Sequence, residues 1–552
     1  MSGFFDSHWI LTFLIFFPLL GALAAYLAGE HGARRVALGV GVVEFLASVP
    51  LFFTVKGAGT CAMSGVTGPS TGASPSIGRI TVPMQNCADF AWFPDWGIHY
   101  RIGIDGISLF MVLLTTLLLP LMVLGSWSYV RDRQAAFYAL LLALTTGVVG
   151  VFVALDLFLF YVFWEVMLIP MYFLIGIWGG KERIYAAVKF FLYTVVGSLL
   201  MLVAILYLHW RAKSLGTMGA ATFSYWDFTN FGLLQLSGME QSLLFLAFAL
   251  AFAIKVPIFP FHTWLPHAHV QAPTAGSVVL AGVLLKMGTY GFIRFALPLF
   301  PDVARASGVV TWAMVLGVVG IVYAAMVAAV QPNAKKLVAY TSVAHLGFVI
   351  LGIFAGTLQG MQGALLVMIG HGLSTPMLFF LLGMLYERRH TYEIEDFGGL
   401  SASIPVFSTL LVVAAMATIG LPTTSGFVSE FLVLVGTFEQ HPWMALVAAT
   451  GVIIAAYYML PMVQRMVFNP LDRPANRGIP DLGGRELAVL LPLVALIFWL
   501  GLYPKPFLDR MEPAARRIVA TVRTETRLPA RTFGPGQVGM ADAAAPAAAG
   551  ER

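Results

Sequence analysis

The sequence predicts an all-α polytopic membrane protein of about fourteen transmembrane helices, ten of them forming two five-helix repeats. Three observations predict it. Hydrophobic residues make up 59% of the 552 and charged residues only 11%, where a soluble domain carries about 45–50% and about 25%. The apolar residues fall into continuous runs long enough to cross a bilayer as helices, at roughly 20 residues each, and not into the alternating pattern of a membrane barrel. The seventh run is interrupted by prolines beside a lysine, as in "AFAIKVPIFPFHTWLP", and the twelfth by glycine and proline beside a glutamate, as in "IGLPTTSGFVSEF".

The runs begin near Trp9, Val36, Ile107, Ala136, Leu157, Tyr185, Leu243, Thr274, Val309, Leu337, Gly363, Ile404, Met444 and Leu487. No Lys or Arg precedes the first, and it is long enough to span, so it reads as a helix and not as a cleaved signal peptide. The two interrupted runs are five apart, which divides the chain into residues 1–106 (two spans and a long loop), 107–135 (the third span), 136–298 (spans four to eight), 299–470 (spans nine to thirteen), 471–504 (a loop and the fourteenth span) and a tail, 505–552. The stretch "MADAAAPAAAGER" is low-complexity and expected to be disordered.

So few charges cannot cover a water-facing surface, which excludes a soluble enzyme, a disordered protein and a nucleic-acid binder. The net charge of +5 is read instead as loop bias. Arg34 and Arg35, Arg131 and Arg133, Lys181 and Arg183, Lys335 and Lys336, and Arg388 and Arg389 all fall in odd-numbered loops. Basic loops favour the cytoplasm, so both termini are placed on the outer side of a bacterial inner membrane. Arg305 and the basic tail from Lys505 run against the rule. Cys61 and Cys87 share the long second loop on that outer, oxidising side, where a disulfide between them is expected. Two cysteines cannot hold an iron–sulfur cluster or a four-thiolate zinc, and no nucleotide-binding glycine string occurs, so no cofactor is expected in this chain. His262, His267 and His269 match no strong metal spacing, and no metal is expected there.

The informative residues are ionisable groups inside apolar runs: Lys189, Lys255, Lys286, Glu165 and Glu430, with Glu44 in the second run. Each costs at least ~2.5–3.5 kcal/mol at the bilayer centre unless paired or hydrated, so such groups mark ion or proton paths. Lys189 lies near a helix end, where its stem can reach outward. Glu44 has no obvious partner; protonation or pairing with another subunit would account for it. Lys255 and Glu430 stand beside helix breaks, where irregular backbone survives only against protein or water. His345 and His371 lie between the lysines and Glu430 in sequence and are candidate relays. A Glu165–Lys255 pair at about 4 Å would be worth ~4 kcal/mol at an effective dielectric of about 20, enough to switch the lysine's proton.

At these residues a resemblance appears. "FWEVMLIPMYFLIGIWGG", "IKVPIFPFHTWLPHAHVQAPTAGSVVLAGVLLKMGTYG", "KKLVAYTSVAHLGF" and "GHGLSTPMLFF" resemble the subunit M family of bacterial NADH–quinone oxidoreductase, respiratory complex I. The resemblance runs from about Ile107 to about Phe468. It implies fourteen helices and two inverted five-helix repeats with broken seventh and twelfth members. It implies a proton-translocating role in which Glu165 modulates Lys255, Lys286 connects the halves, His345 and His371 lie on a central axis, and Glu430 stands near the exit. Flavin, iron–sulfur clusters and quinone are implied in partner subunits, and the antiporter-like L and N subunits and membrane lipid as neighbours. The L and N families and the Mrp cation/proton antiporters carry lysine at the position of Glu430; glutamate resembles the M family. His267 replaces the usual aspartate before "AH", and Asn333 stands where some relatives have an acid. The rival expectations are a subunit of a Mrp-type antiporter or of a hydrogenase- or formate-linked ion pump.

The disulfide has a direct check. Mass spectrometry of the native protein without reductant is expected to find Cys61 and Cys87 linked; two alkylatable thiols would reject the pairing.

Overall fold

The computed structural model describes residues 9–56, 59–67, 76–214, 222–230 and 236–523. The low-complexity tail end lies outside them. Among the described residues thirteen helices are long and apolar enough to cross a membrane: α1 (Trp9–Leu27), α2 (Gly29–Thr54), α3 (Gly106–Gly125), α4 (Gln134–Val153), α5 (Leu157–Trp178), α6 (Arg183–Lys213), α7 (Gly238–Lys255), α8 (Thr274–Leu299), α9 (Ser307–Ala329), α10 (Ala334–Phe354), α11 (Leu358–Arg389), α13 (Pro442–Phe468) and α14 (Gly484–Leu502). The fourteenth span, α12, is two shorter apolar helices, Pro405–Ile419 and Ser425–Phe438. Helix α7 likewise continues past its break as Trp264–Gln271.

Helices α4–α8 and α9–α13 are the two repeats, each broken in its fourth member. Five is odd, so the second repeat enters from the face opposite the first and is inverted. Burial sorts the helices into shells. Every residue in the most apolar window of α8 and α11 is buried, against 28% in α2 and 33% in α14. The first two form the centre of the bundle, and the last two turn most of their surface outward.

Both breaks have local causes and local remedies. Pro257 and Pro260 remove amide donors from α7. The Ile258 amide bonds to Ala253 O at 2.9 Å, and the Trp264 indole donates to Ile254 O at 2.8 Å. In α12, Gly420 takes φ +86°, and the Leu421 amide reaches back to Met416 O at 3.0 Å. Helix α8 stays continuous but widens into π-turns at Leu280–Leu284 and Phe292–Ala296. Such turns are rare and cluster at functional sites. In α5, Pro170 removes the amide that would meet Val166 O, just after Glu165.

The face that carries the second loop was expected to hold only loop and tail. It is capped by structure. Strands β1 (Cys61–Thr67) and β2 (Ser76–Val82) pair antiparallel, as do β3 (Gln85–Phe93) and β4 (Ile98–Ile104). Cys61 and Cys87 are bonded across the two hairpins, with Cα atoms 6.3 Å apart. Residues Lys505–Arg523 form an amphipathic helix, α15, which buries Phe507, Met511, Ala514, Ala515 and Ile518. These positions recur at helical spacing, so one stripe faces the bundle. Arg510 Nε donates to Phe52 O at 2.7 Å and Arg517 to Pro83 O at 3.3 Å. Gly106 permits the approach: a Cβ there would lie 1.7 Å from Arg510 O.

Gly106→Leu is therefore expected to lift α15 off the bundle, at a cost of about 1–3 kcal/mol from overpacking. Trypsin should then cleave at Arg516 and Arg517 far faster than in the parent. Unchanged resistance would contradict this docking.

Candidate functional site

Lys286 lies at the centre of α8, fully buried. Its ammonium donates to Ala281 O, a carbonyl in the adjoining π-turn, and to His371 Nδ1 at 2.7 Å. The His371 ring stands 5.5 Å from that of His345, edge to face. The His345 Nδ1–H donates to Glu430 Oε1 at 2.7 Å. All four side chains are buried. Four residues named from sequence, on α8, α11, α10 and α12, thus form one line from the last helix of the first repeat into the second. The Nε2 atoms of both histidines have no hydrogen-bond partner among the described residues. Glu430 is held beside the α12 break, its Oε2 3.6 Å from the point where a Gly420 Cβ would sit.

Lys255 and Glu165 are arranged differently from the close pair expected. Lys255 ends the first half of α7 and is buried. Its ammonium lies 3.8 Å from Met167 Sδ and 5.4 Å from the ring centroids of Trp164 and Phe190. Aromatic faces stabilise such a cation by about 2 kcal/mol or more when desolvated. Glu165 faces the hydroxyls of Ser198 and Tyr161 and is within electrostatic reach of Lys255, not in contact with it. The cause is helical phase. Trp164 and Met167 share the inward face of α5, while Glu165 is half-buried and turned toward its flank.

The other polar candidates fall in separate places. The Lys189 ammonium meets His267 Nδ1 at 3.4 Å, with the Tyr185 and Tyr193 ring centroids at 5.7 and 6.0 Å. His262 stacks near Phe259 and Tyr323. His269 is fully buried against Phe379, its ring 4.8 Å away. The three histidines point to three environments, and among the described residues no metal-ligating group of three gathers. Asn333 caps α10, accepting from the Lys336 amide at 3.1 Å and donating to Glu393 at 2.8 Å. Glu44 is enclosed by its own chain, and neither oxygen has a partner among the described residues.

Sequence reasoning passed over three features. Arg294, in the second π-turn of α8, donates to Asp105 at 2.6 Å, and both are buried. Asp105 also caps α3, accepting from the amides of Ile107 and Ser108 at 3.1 Å. Lys335 is buried and donates to Ala272 O at 2.7 Å and Val270 O at 3.3 Å, closing the carbonyl end of α7. Arg294 was open to the rule applied to the lysines, since it too lies in an apolar run.

The family described as "NADH:quinone oxidoreductase/Mrp antiporter, TM" matches residues 154–455, and that described as "NADH-ubiquinone oxidoreductase chain 4, amino terminus" matches residues 79–150. The chain is 44% identical to NADH-quinone oxidoreductase subunit M of Rhodobacter capsulatus, over 92% of this chain and 96% of that one. It is 42% identical to subunit M of Escherichia coli K12, over 92% and 97%. A chain of respiratory complex I from Thermus thermophilus superposes with TM-score 0.80 at 30% identity, covering 93% of this chain and all of that one. A chain of the Mrp complex from a Dietzia species shares the fold, with TM-score 0.75 at 20% identity over 93% and 99%.

The Asp105–Arg294 pair supplies a test of the scaffold around the line. Asp105→Ala leaves a buried guanidinium unpaired and is expected to cost about 3–5 kcal/mol. That should appear as loss of assembled protein in the membrane. Asp105→Leu combined with Arg294→Met should restore most of it; a double variant as poor as the single would overturn the pairing argument.

Proposed function

The chain belongs to the subunit M family of NADH–quinone oxidoreductase, and from that premise we propose that its buried Lys, His and Glu side chains carry the protons. It is a proton-translocating membrane-arm subunit of an NADH–quinone oxidoreductase, a multi-pass membrane protein of the respiratory chain. The observation that carries the residue assignment is the line Lys286–His371–His345–Glu430, whose two hydrogen bonds are both 2.7 Å. The Lys286 ammonium can pass a proton to His371 Nδ1. Ring reorientation brings it to His345, and the His345–Glu430 bond delivers it to the carboxylate. Each transfer exchanges a charge between groups already enclosed, so no bare ion meets hydrocarbon.

Glu165 acts on Lys255 through space. A carboxylate on the flank of α5 favours the proton on the lysine; neutralising it favours release. The aromatic enclosure of Lys255 keeps it from the bulk at other times. Free energy reaches these groups from NADH oxidation and quinone reduction in other subunits, which hold the flavin, iron–sulfur clusters and quinone. The neighbours are the L and N subunits and lipid. The membrane is the bacterial inner membrane, with both chain ends on its outer side. Glu430, in place of the lysine of the L, N and Mrp families, favours the M assignment over an antiporter.

In sealed vesicles, Lys255→Ala and Glu165→Ala are each expected to reduce NADH-driven proton uptake at least tenfold while the complex still assembles, since about 1.4 kcal/mol of lost stabilisation already gives that factor. Unimpaired pumping in both would sink the assigned roles. Glu430→Ala should also impair pumping, and Glu430→Lys should retain more of it than Glu430→Ala.

A further inference from the structure

We infer that the crevice between α9, α10, the α12–α13 turn and the end of α15 binds an anionic phospholipid from the leaflet on the side of the second loop. The crevice encloses about 380 Å³ and brings together Arg305, His441 and Arg523 at its rim, over walls that include Val310, Phe354 and Val519. Those basic groups come from a short loop, a turn and the last turn of an amphipathic helix, far apart in sequence. Arg305 and Arg523 are also among the basic groups that the loop-charge rule does not account for. Arg305 is the main basic residue in the short loops of that face, and α15 opens the basic tail.

A guanidinium cluster over an apolar trough has the shape of a phosphodiester with its chains. Guanidinium groups bind phosphate oxygens through paired N–H donors, and basic groups at a membrane surface attract anionic headgroups. Depth agrees with this occupant. Trp312, next to the α9 wall, is 68% exposed and Trp443, next to His441, is 77% exposed. Exposed tryptophans of this kind sit at the level of the headgroups. Asp302 fixes the Arg305 guanidinium at 2.8 Å, so its orientation is set before a lipid arrives. The inference does not depend on how protons cross the subunit.

The test uses membranes containing the assembled chain and photoactivatable phosphatidylglycerol or phosphatidylcholine, with adducts mapped by mass spectrometry. Phosphatidylglycerol is expected to label residues 304–311, 440–443 and 518–523 preferentially. Arg305→Gln with Arg523→Gln should cut that labelling on the order of tenfold, with normal assembly on native gels. Lysine at both positions should retain more of it than glutamine. Lys505→Gln, which removes a basic group on the same helix away from the crevice, should change nothing. Equal labelling by phosphatidylcholine, labelling indifferent to the double variant, loss of labelling in excess inorganic phosphate, or no labelling because a neighbouring subunit covers the crevice would each overturn the proposal.

Discussion

An ionised group in hydrocarbon must be enclosed and given partners, and the arrangement of this bundle follows from that constraint. The helices with the least lipid contact, α8, α10 and α11, carry Lys286, Lys335, His345 and His371. Their partners come from the next shell: Glu430 on α12, Asp105 at the start of α3, the carbonyls that end α7. Glu486, buried in the first turn of α14, receives Arg388 at 2.7 Å. A charge with a fixed partner avoids part of the desolvation cost, but a pair gains stability only when its geometry is good. The distances of 2.6–2.7 Å in the Asp105–Arg294 and His345–Glu430 pairs meet that condition.

The same constraint acts on the backbone. A helix broken at membrane depth exposes amides and carbonyls that lipid cannot satisfy. In α7 the freed Ile254 carbonyl is taken by an indole, and the far end of the helix by the Lys335 ammonium. In α12 the turn closes on itself, with Thr424 Oγ1 donating to Leu421 O at 2.7 Å. In α8 the π-turns widen the helix and leave the Ala281 carbonyl turned toward Lys286. Each titratable group of the line thus stands where the backbone departs from the regular ladder or contacts a helix that does.

This explains what could be read from the sequence and what could not. The spans were legible because about 20 apolar residues have no other use in a bilayer protein. The two breaks were legible because proline and glycine fell inside such runs. Lys255, Lys286, His345, His371 and Glu430 were legible as ions or imidazoles out of place. Direction was not. Whether Glu165 meets Lys255 depends on helical phase, which a run of Phe, Trp and Met on every side of α5 conceals. The hairpins and α15 were missed because polar loops and tails fold against a surface that the sequence does not display. Arg294 was missed because a charge near a helix end is normally explained by its reach to the interface, whereas here it turns inward to Asp105.

The two lysines are separated by packing and not by distance along a pore. Gly288, two residues past Lys286, is pressed against α7 so closely that a Cβ would lie 2.8 Å from Phe252 O and 3.0 Å from the Val256 amide. Lys255 sits between those two α7 positions, with its side chain turned to Trp164, Phe190 and Met167 on the far side. Lys286 turns the other way, to His371. Backbone against backbone leaves no polar route at that contact. Just beyond it, however, α7 loses its hydrogen-bond ladder, and the break borders a cavity of about 10 Å³ beside Val256, Pro257 and Gly347, near the least volume that holds one water. The barrier between the halves therefore lies against the part of α7 least restrained by its own backbone. On the proposed function, transfer from Lys255 to Lys286 is set by movement of that segment, while transfer from Lys286 to Glu430 uses two hydrogen bonds already in place and one reorientation between the His371 and His345 rings, 5.5 Å apart.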